Sequence, residues 1–264
     1  MQHVARKRFG QHFLHDQAVI DHIIQAIGPV PGQNIVEIGP GLGALTRPLL
    51  EAAGSLDVVE LDRDVIPRLM ENCAGLGDLR VHAVDVLKFD FARLATGGEG
   101  LRIVGNLPYN ISTPLIFHML NYRGLIRDMH FMVQKEVAER MAATAGDSAY
   151  GRLSVMVQLR CAVIPLFTVG PEAFKPAPKV ESAVVRMLPY DVPRVQILDD
   201  DAVALVVSRA FGQRRKTLRN CLKGLFAAEQ IDALGIDPAR RPETLTVEEF
   251  AKLGNALARM EQPG

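Results

Sequence analysis

Cysteine is scarce in this 264-residue chain, and Cys73, Cys161 and Cys221 lie far apart with no CxxC pair. That excludes a disulfide framework and a cysteine-based zinc site, and it fits a reducing compartment. Long apolar runs are missing as well. No stretch approaches the roughly 20 residues of a membrane span, and the N-terminus lacks the apolar core of a signal peptide, so a soluble, cytoplasmic protein without a membrane partner is expected. Neither sign of charge is in excess, with 30 basic and 30 acidic residues, so the total gives no sign of a polyanion partner. His12 and His15 find no further ligand pattern to complete a set, and no metal is expected. Internal repeats and low-complexity tracts are absent. No exposed heptad or strand-edge signal asks for a second copy, so a monomer is expected.

What is present is enough apolar residue, 48%, for one large core with a smaller appended domain. The charges are also unevenly spread. Arg209, Arg214, Arg215, Lys216, Arg219 and Lys223 fall within residues 209–223 with no acid among them, and Arg6, Lys7 and Arg8 form a second cluster. Taken alone, such clusters read first as solvated faces and only second as phosphate-binding surfaces.

Val19, Ile20, Ile23, Ile24 and Ile27 recur at helical spacing behind Asp16, a candidate N-cap. After the Pro31-Gly32 turn, strand-like runs at 34–38, 56–61, 79–84, 101–105 and 129–133 alternate with helical segments at 44–53, 63–72 and 113–121. Such alternation predicts an α/β fold of βαβ units, a parallel sheet with helices on both faces, binding ligands at the strands' carboxyl ends. Helical pattern is expected at 135–143 and 151–160, and two more strands at 161–168 and 182–188. Between these strands a constrained loop holds Pro171, Pro176 and Pro178. From Asp199 the pattern is helical only, at 201–211, 214–226, 229–234 and 246–259, which predicts a domain over 1–193 and a small all-helical domain over 194–264.

The first strand runs into Gly39-Pro-Gly-Leu-Gly43 and then a helix, as in loops where backbone approaches a nucleotide. Gly39, Gly41 and Ala44 also satisfy the GxGxxA spacing of nicotinamide enzymes, so an oxidoreductase stands as a rival. Glu60, 21 residues after Gly39, can accept from ribose hydroxyls in either class. Asp85 follows the third strand, where a carboxylate can accept from an adenine amino group or merely cap a turn. Asn106-Leu107-Pro108-Tyr109 follows the fourth strand and discriminates better. The exocyclic nitrogen of adenine is a poor nucleophile because its lone pair is delocalised into the ring. The Asn106 side-chain oxygen and the Leu107 carbonyl could each accept an amino hydrogen and localise that lone pair. Pro108 would stiffen the loop and Tyr109 would offer a stacking face.

These motifs, with Phe9-Gly-Gln-His-Phe-Leu14, Phe174-Lys-Pro-Ala-Pro-Lys-Val-Glu-Ser182 and Gln213-Arg-Arg-Lys-Thr-Leu-Arg-Asn220, fall in an order that resembles the ribosomal RNA adenine dimethyltransferases over nearly the whole chain. The likeness is to the bacterial type that dimethylates two adjacent adenosines near the 3′ end of small-subunit (16S) ribosomal RNA during ribosome biogenesis. It implies a Rossmann-like S-adenosylmethionine-dependent methyltransferase sheet, with small-subunit rRNA in the immature small subunit as partner. His12 and Leu14, with Gln11 as a weaker candidate, would close over S-adenosylmethionine, while Gly39, Gly41, Glu60, Asp85 and Asn106 hold it from the sheet. At His12 the family more often carries Asn, so a backbone contact is expected there. Phe174 would stack the target adenine opposite Tyr109, or else anchor its loop in the core. Arg214, Arg215, Lys216 and Arg219 would bind RNA phosphates. The alternatives are a large-subunit (23S) adenine methylase of the macrolide-resistance type and a non-catalytic RNA-binding or transcription factor on the same fold.

Overall fold

The computed structural model describes residues 12–95, 98–213 and 215–261, so Gln11, Arg214 and the Arg6, Lys7 and Arg8 cluster lie outside the described residues. The chain forms two compact units. One comprises Met1–Ala138 with Ile164–Pro189, the other Glu139–Val163 with Tyr190–Gly264.

In chain order the elements are β1 (Phe13–Leu14), α1 (Gln17–Ile27), β2 (Ile35–Ile38), α2 (Thr46–Ala53), β3 (Ser55–Val59), α3 (Ile66–Asn72), β4 (Asp78–His82), β5 (Leu101–Asn106), α4 (Ser112–Leu120) and β6 (Ile126–Gln134). They continue with α5 (Lys135–Ala142), α6 (Arg152–Gln158), β7 (Cys161–Val169), β8 (Phe174–Lys175) and β9 (Ser182–Pro189). Seven strands form one sheet in the order β4-β3-β2-β5-β6-β9-β7, while β1 and β8 make a separate antiparallel pair. The ladders from β4 to β6 are parallel, as the alternating pattern predicts. The sheet as a whole is mixed rather than parallel, because β9 runs antiparallel to β6. Its chain enters at the carboxyl end of β6, where the Lys135 N–H donates to the Glu181 carbonyl at 3.0 Å.

The chain starts centrally at β2, winds outward to β4, then returns to β5 on the other side of β2. Windings in opposite directions leave a crevice beyond the carboxyl ends of β2 and β5. Helix α1 begins where the Asp16 carboxylate accepts from the Val19 N–H at 3.2 Å and ends at Gly28, in the left-handed conformation. Its Ile20, Ile23 and Ile27 pack with Leu49, Leu50 and Leu69 of α2 and α3 on Ile35, Leu56, Val58 and Val104 of the sheet. Alternate strand residues Val36, Ile38, Ile103 and Phe131 are equally buried, so period two places them on an opposite face that is covered too.

At the other end of these strands sits an ion pair that sequence pattern does not reveal. Arg102, opening β5, donates Nε and Nη2 to the Asp128 carboxylate of β6 at 2.9 and 3.0 Å. Its remaining hydrogens reach Gln33 Oε1 and the carbonyls of Ile27 and Gly28, so all five guanidinium hydrogens have acceptors. Arg102 thereby satisfies the last carbonyls of α1 and pins that helix under the sheet. Removing one partner of such a pair costs about 3–5 kcal/mol, since the other is left charged and buried.

The second unit includes α5 beyond Ala138, α6, α7 (Asp200–Gly212), α8 (Leu218–Cys221), α9 (Ala228–Asp232) and α10 (Val247–Glu261). Helices α6, α7 and α10 pack on one another, with Tyr150 fully buried and edge-on to Phe211. Any Cβ at Gly254 would overlap Val203, so glycine permits the close approach of α7 and α10. The packing of α6 draws 139–163 into the helical unit, where the sequence pattern drew a single boundary at 193. Nor is 214–226 one helix. Thr217 is extended and Gly224 has φ 90°, which confines regular helix to Leu218–Cys221.

Candidate active site

A cavity of about 280 Å³ opens at the carboxyl edge of the first unit's sheet. Its wall is built from the ends of β2, β3 and β5 and from the turn after β4, and His12, Phe13 and Leu14 also line it. Leu14 and Phe13 are held there by the β1–β8 pair, in register with Phe174 and Lys175, and the His15 N–H donates to the Ala173 carbonyl at 3.0 Å.

The glycine loop after β2 forms the first side. Gly41 has φ 54°, and a Cβ there would lie 3.1 Å from the Phe13 ring, so both backbone conformation and the N-terminal segment's approach require glycine. Glu37, in β2, is 2% exposed and accepts from Thr46 Oγ1 at 2.6 Å. Burial, against the Thr46 bond and with the Glu60 charge nearby, pushes its pKa up to about 8. Glu60 itself accepts from the Asp62 N–H at 2.8 Å and more weakly from the Gly41 N–H at 3.4 Å. Its pKa is raised, chiefly by burial, with the backbone donors opposing.

The second side is an apolar slot ended by an acid. Leu61 is 51% exposed yet lines the cavity, together with Val86 and Leu87. Asp85 Oδ1 accepts from the Leu87 N–H at 3.0 Å, capping a short 3-10 turn, Val86–Lys88. The capping expected of an acid at this position is therefore real, and it employs one of the two carboxylate oxygens.

The third side is the loop after β5. Asn106 ends that strand, and its Nδ2 donates to the His12 carbonyl at 3.0 Å. A carbonyl only accepts, so this bond fixes which end of the amide is nitrogen. Leu107 is buried and its N–H donates to the Met132 carbonyl at 3.0 Å. The Tyr109 hydroxyl lies 2.6 Å from Ser182 Oγ, and the His12 imidazole stacks over its ring with centroids 5.5 Å apart. Burial raises the Tyr109 pKa, opposed by the Ser182 bond. The imidazole Nδ1 is 2.7 Å from the Pro176 carbonyl. His12 thus engages other parts of the chain through side chain and backbone alike.

His12, Leu14, Gly39, Gly41, Glu60, Asp85 and Asn106 to Tyr109 therefore share one cavity. Phe174 does not. It is 3% exposed and packs in the core with Leu14 and Ala173, where the antiparallel β1–β8 ladder sets it directly opposite Leu14. In this conformation it anchors its loop in the core, the second of the two placements expected for it, and does not line the cavity. Arg215, Lys216 and Arg219 lie in the second unit, and all three are exposed. Glu37, Thr46, Leu61 and Ser182 line or brace the site and were not singled out from sequence. For Leu61 a signal existed, an apolar residue directly after the acid that ends a strand. Among the described residues no cluster of His, Cys, Asp or Glu could hold a metal ion, and no helix is long and apolar enough to cross a membrane.

A doubly wound sheet with a glycine loop, an acid after its β3 strand and an Asn-Leu-Pro-Tyr loop around one cavity is the architecture of a Rossmann-like methyltransferase. The description of the ribosomal RNA adenine dimethylase family matches residues 2–259, and the chain belongs to that family. Proteins named ribosomal RNA small subunit methyltransferase A are similar along almost the whole chain. That of Colwellia psychrerythraea is 55% identical, covering 97% of this chain and 85% of its own, and that of Pseudomonas putida is 54% identical, covering 99% and 98%. Among solved structures, a dimethyladenosine transferase from Plasmodium falciparum superposes with a TM-score of 0.80 at 29% identity, covering 92% of this chain and 96% of that one. The 23S rRNA methyltransferase ErmE superposes at 0.73 with 24% identity, covering 93% and 99%, which shows the shared fold.

The buried Glu37 generates a pH prediction. Its carboxyl ionises at its ordinary value of 4.5 when unfolded and at about 8 when folded. Between those values the folded state keeps a proton that the unfolded state has lost, so stability falls as pH rises through that window. Glu37→Gln, which keeps an acceptor for Thr46, should flatten the decline of Tm over roughly pH 5 to 8. An equally steep decline in the variant would contradict the assignment.

Proposed function

We infer that this protein transfers methyl groups from S-adenosylmethionine to the N6 amino group of adenine in small-subunit (16S) ribosomal RNA, giving N6,N6-dimethyladenosine. The observation that carries the reading is the anchoring of Asn106 through its nitrogen to the His12 carbonyl, which leaves Oδ1 as the acceptor for a target amino group. The cavity fits the cofactor. Glu60 suits ribose hydroxyls as acceptor, Leu61, Val86 and Leu87 suit the flat faces of an adenine, and Asp85 suits its amino group. Gly39 and Gly41 keep the floor clear of side chains, and the segment from His12 to Leu14 covers the site. When bound, the sulfonium supplies an electrophilic methyl group on a good leaving group.

Given that electrophile, no base need act before attack, and the chain's task is positioning. Asn106 Oδ1 and the Leu107 carbonyl accept the two amino hydrogens and turn the nitrogen lone pair towards the methyl group. Pro108 stiffens the loop. Tyr109 stacks the base, a contact worth about 1–3 kcal/mol, which offsets much of the cost of drawing it out of the RNA stack. Phe174 supports the covering segment by packing behind Leu14.

Two adjacent adenosines in the 3′-terminal loop are the targets, and the substrate is the immature small subunit, which a cytoplasmic monomer would meet during ribosome biogenesis. Arg215, Lys216 and Arg219, with Arg214, supply phosphate contacts. The large-subunit alternative has only a fold likeness at 24% identity in its favour. A non-catalytic factor or a nicotinamide oxidoreductase would leave Asn106 to Tyr109 without a task.

Labelled S-adenosylmethionine incubated with purified undermethylated small subunits should yield labelled dimethyladenosine, with large subunits unlabelled. Asn106→Ala should lower the rate by about 10²–10³-fold, the usual loss for one preorganised polar group at a reacting centre. Label in large-subunit RNA, or full activity in the variant, would overturn the reading. Replacing Arg215, Lys216 and Arg219 by Gln should weaken RNA binding and lower the slope of log affinity against log salt by about 0.7–0.9 for each phosphate no longer neutralised. An unchanged slope would remove these residues from the interface.

A further inference from the structure

The parallel strands β2, β3 and β5 meet this site with their last residues, whereas an antiparallel strand such as β9 can approach that end of the sheet only with its first. Ser182 is that first residue, in register with Gln134 at the carboxyl end of β6. Its side chain is fully buried, where an unbonded hydroxyl would be costly. The hydroxyl does not join the ladder its backbone makes with β6. It lies 2.6 Å from the Tyr109 hydroxyl, across 73 residues of chain. On the opposite side of that bond, Ser112 Oγ donates to the Tyr109 carbonyl at 3.2 Å, so the tyrosine is held at backbone and at ring tip.

We propose that Ser182 is a positioning residue for base capture: by gripping the phenol oxygen it fixes the plane of the Tyr109 ring on which the target adenine stacks. This rests on Tyr109 being the stacking platform. A ring free to swing about its two side-chain torsions would still bind a base, but would present its amino group to Asn106 and Leu107 in the productive orientation for a smaller fraction of the time. The segment carrying Ser182 is itself tied to the cofactor-covering strand, through the Leu14–Phe174 and Phe13–Lys175 register and the contact of His12 with the Pro176 carbonyl. One loop therefore sets both the cover over the cofactor and the platform for the base.

The test is a double-mutant cycle on methyl transfer to undermethylated small subunits. Ser182→Ala and Tyr109→Phe each delete one side of the bond and should each lower kcat roughly three- to tenfold, the range expected for one neutral hydrogen bond, with the Kd for S-adenosylmethionine unchanged. The double variant should be no slower than the slower single, because both changes remove the same interaction. Wild-type kcat in either single, or losses that multiply in the double, would overturn the proposal. Should Ser182→Ala fail to fold, Tyr109→Phe, which leaves that buried position intact, decides alone by its kcat. Tyr109→Ala separates the two levels of inference. If it leaves transfer unimpaired, the platform reading falls and Ser182 with it. If it impairs transfer while Ser182→Ala does not, only the positioning role is lost.

Discussion

The hydrogen bond from the Asn106 amide to the His12 carbonyl joins parts of the chain that are 94 positions apart, and the functional geometry hangs on it. It needs β5 to end beside β2, so that Asn106 emerges over the glycine loop. It needs the N-terminal segment to lie across that loop, which the absent side chain of Gly41 permits and the β1–β8 pair enforces. Once made, it turns a flexible amide with two interchangeable ends into a directed acceptor. In the proposed function, the cover over the cofactor and the group that orients the nucleophile are then one assembly.

Electrostatics divide the sheet by its two ends. At the amino end of β5 and β6, Arg102 and Asp128 are buried and fully hydrogen-bonded, a rigid arrangement that clamps the end of α1. At the carboxyl end, Glu37, Glu60 and Asp85 gather around the cavity with no cation paired to any of them among the described ion pairs. Burial raises the pKa of Glu37 and of Glu60, and each settles for hydroxyl or backbone donors. Acceptors left without cationic partners at the mouth of a sheet suit a ligand rich in hydroxyl and amino donors and bearing positive charge.

Much of this is legible in the sequence because it is local. The apolar period of α1, its Asp16 cap, the β-α alternation and the glycine loop are each written within a few residues, and the structure repeats them. The clustering of Glu60, Asp85 and Asn106 follows from their places at strand ends. What escapes is set by tertiary contact. The reversal of β9, the Arg102–Asp128 pair and the Ser182–Tyr109 bond join residues far apart in sequence and leave no periodic trace. The motif around Phe174 leaves a stacking ring and a core anchor both open, and it is the pairing with β1 that selects the buried placement. The helical pattern over 214–226 is likewise interrupted, by the extended backbone of Thr217 before Leu218 and by Gly224 at φ 90° after Cys221.

In the proposed function, three separate segments, 12–14, 37–42 and 106–109, act as one binding site for the methyl donor. Hydrogen exchange of backbone amides, followed with and without S-adenosylmethionine, tests it directly. Protection should rise in all three segments together on adding the cofactor, and Asn106→Ala should uncouple 12–14 from the rest. Protection confined to 37–42, with the other segments exchanging as before, would contradict it.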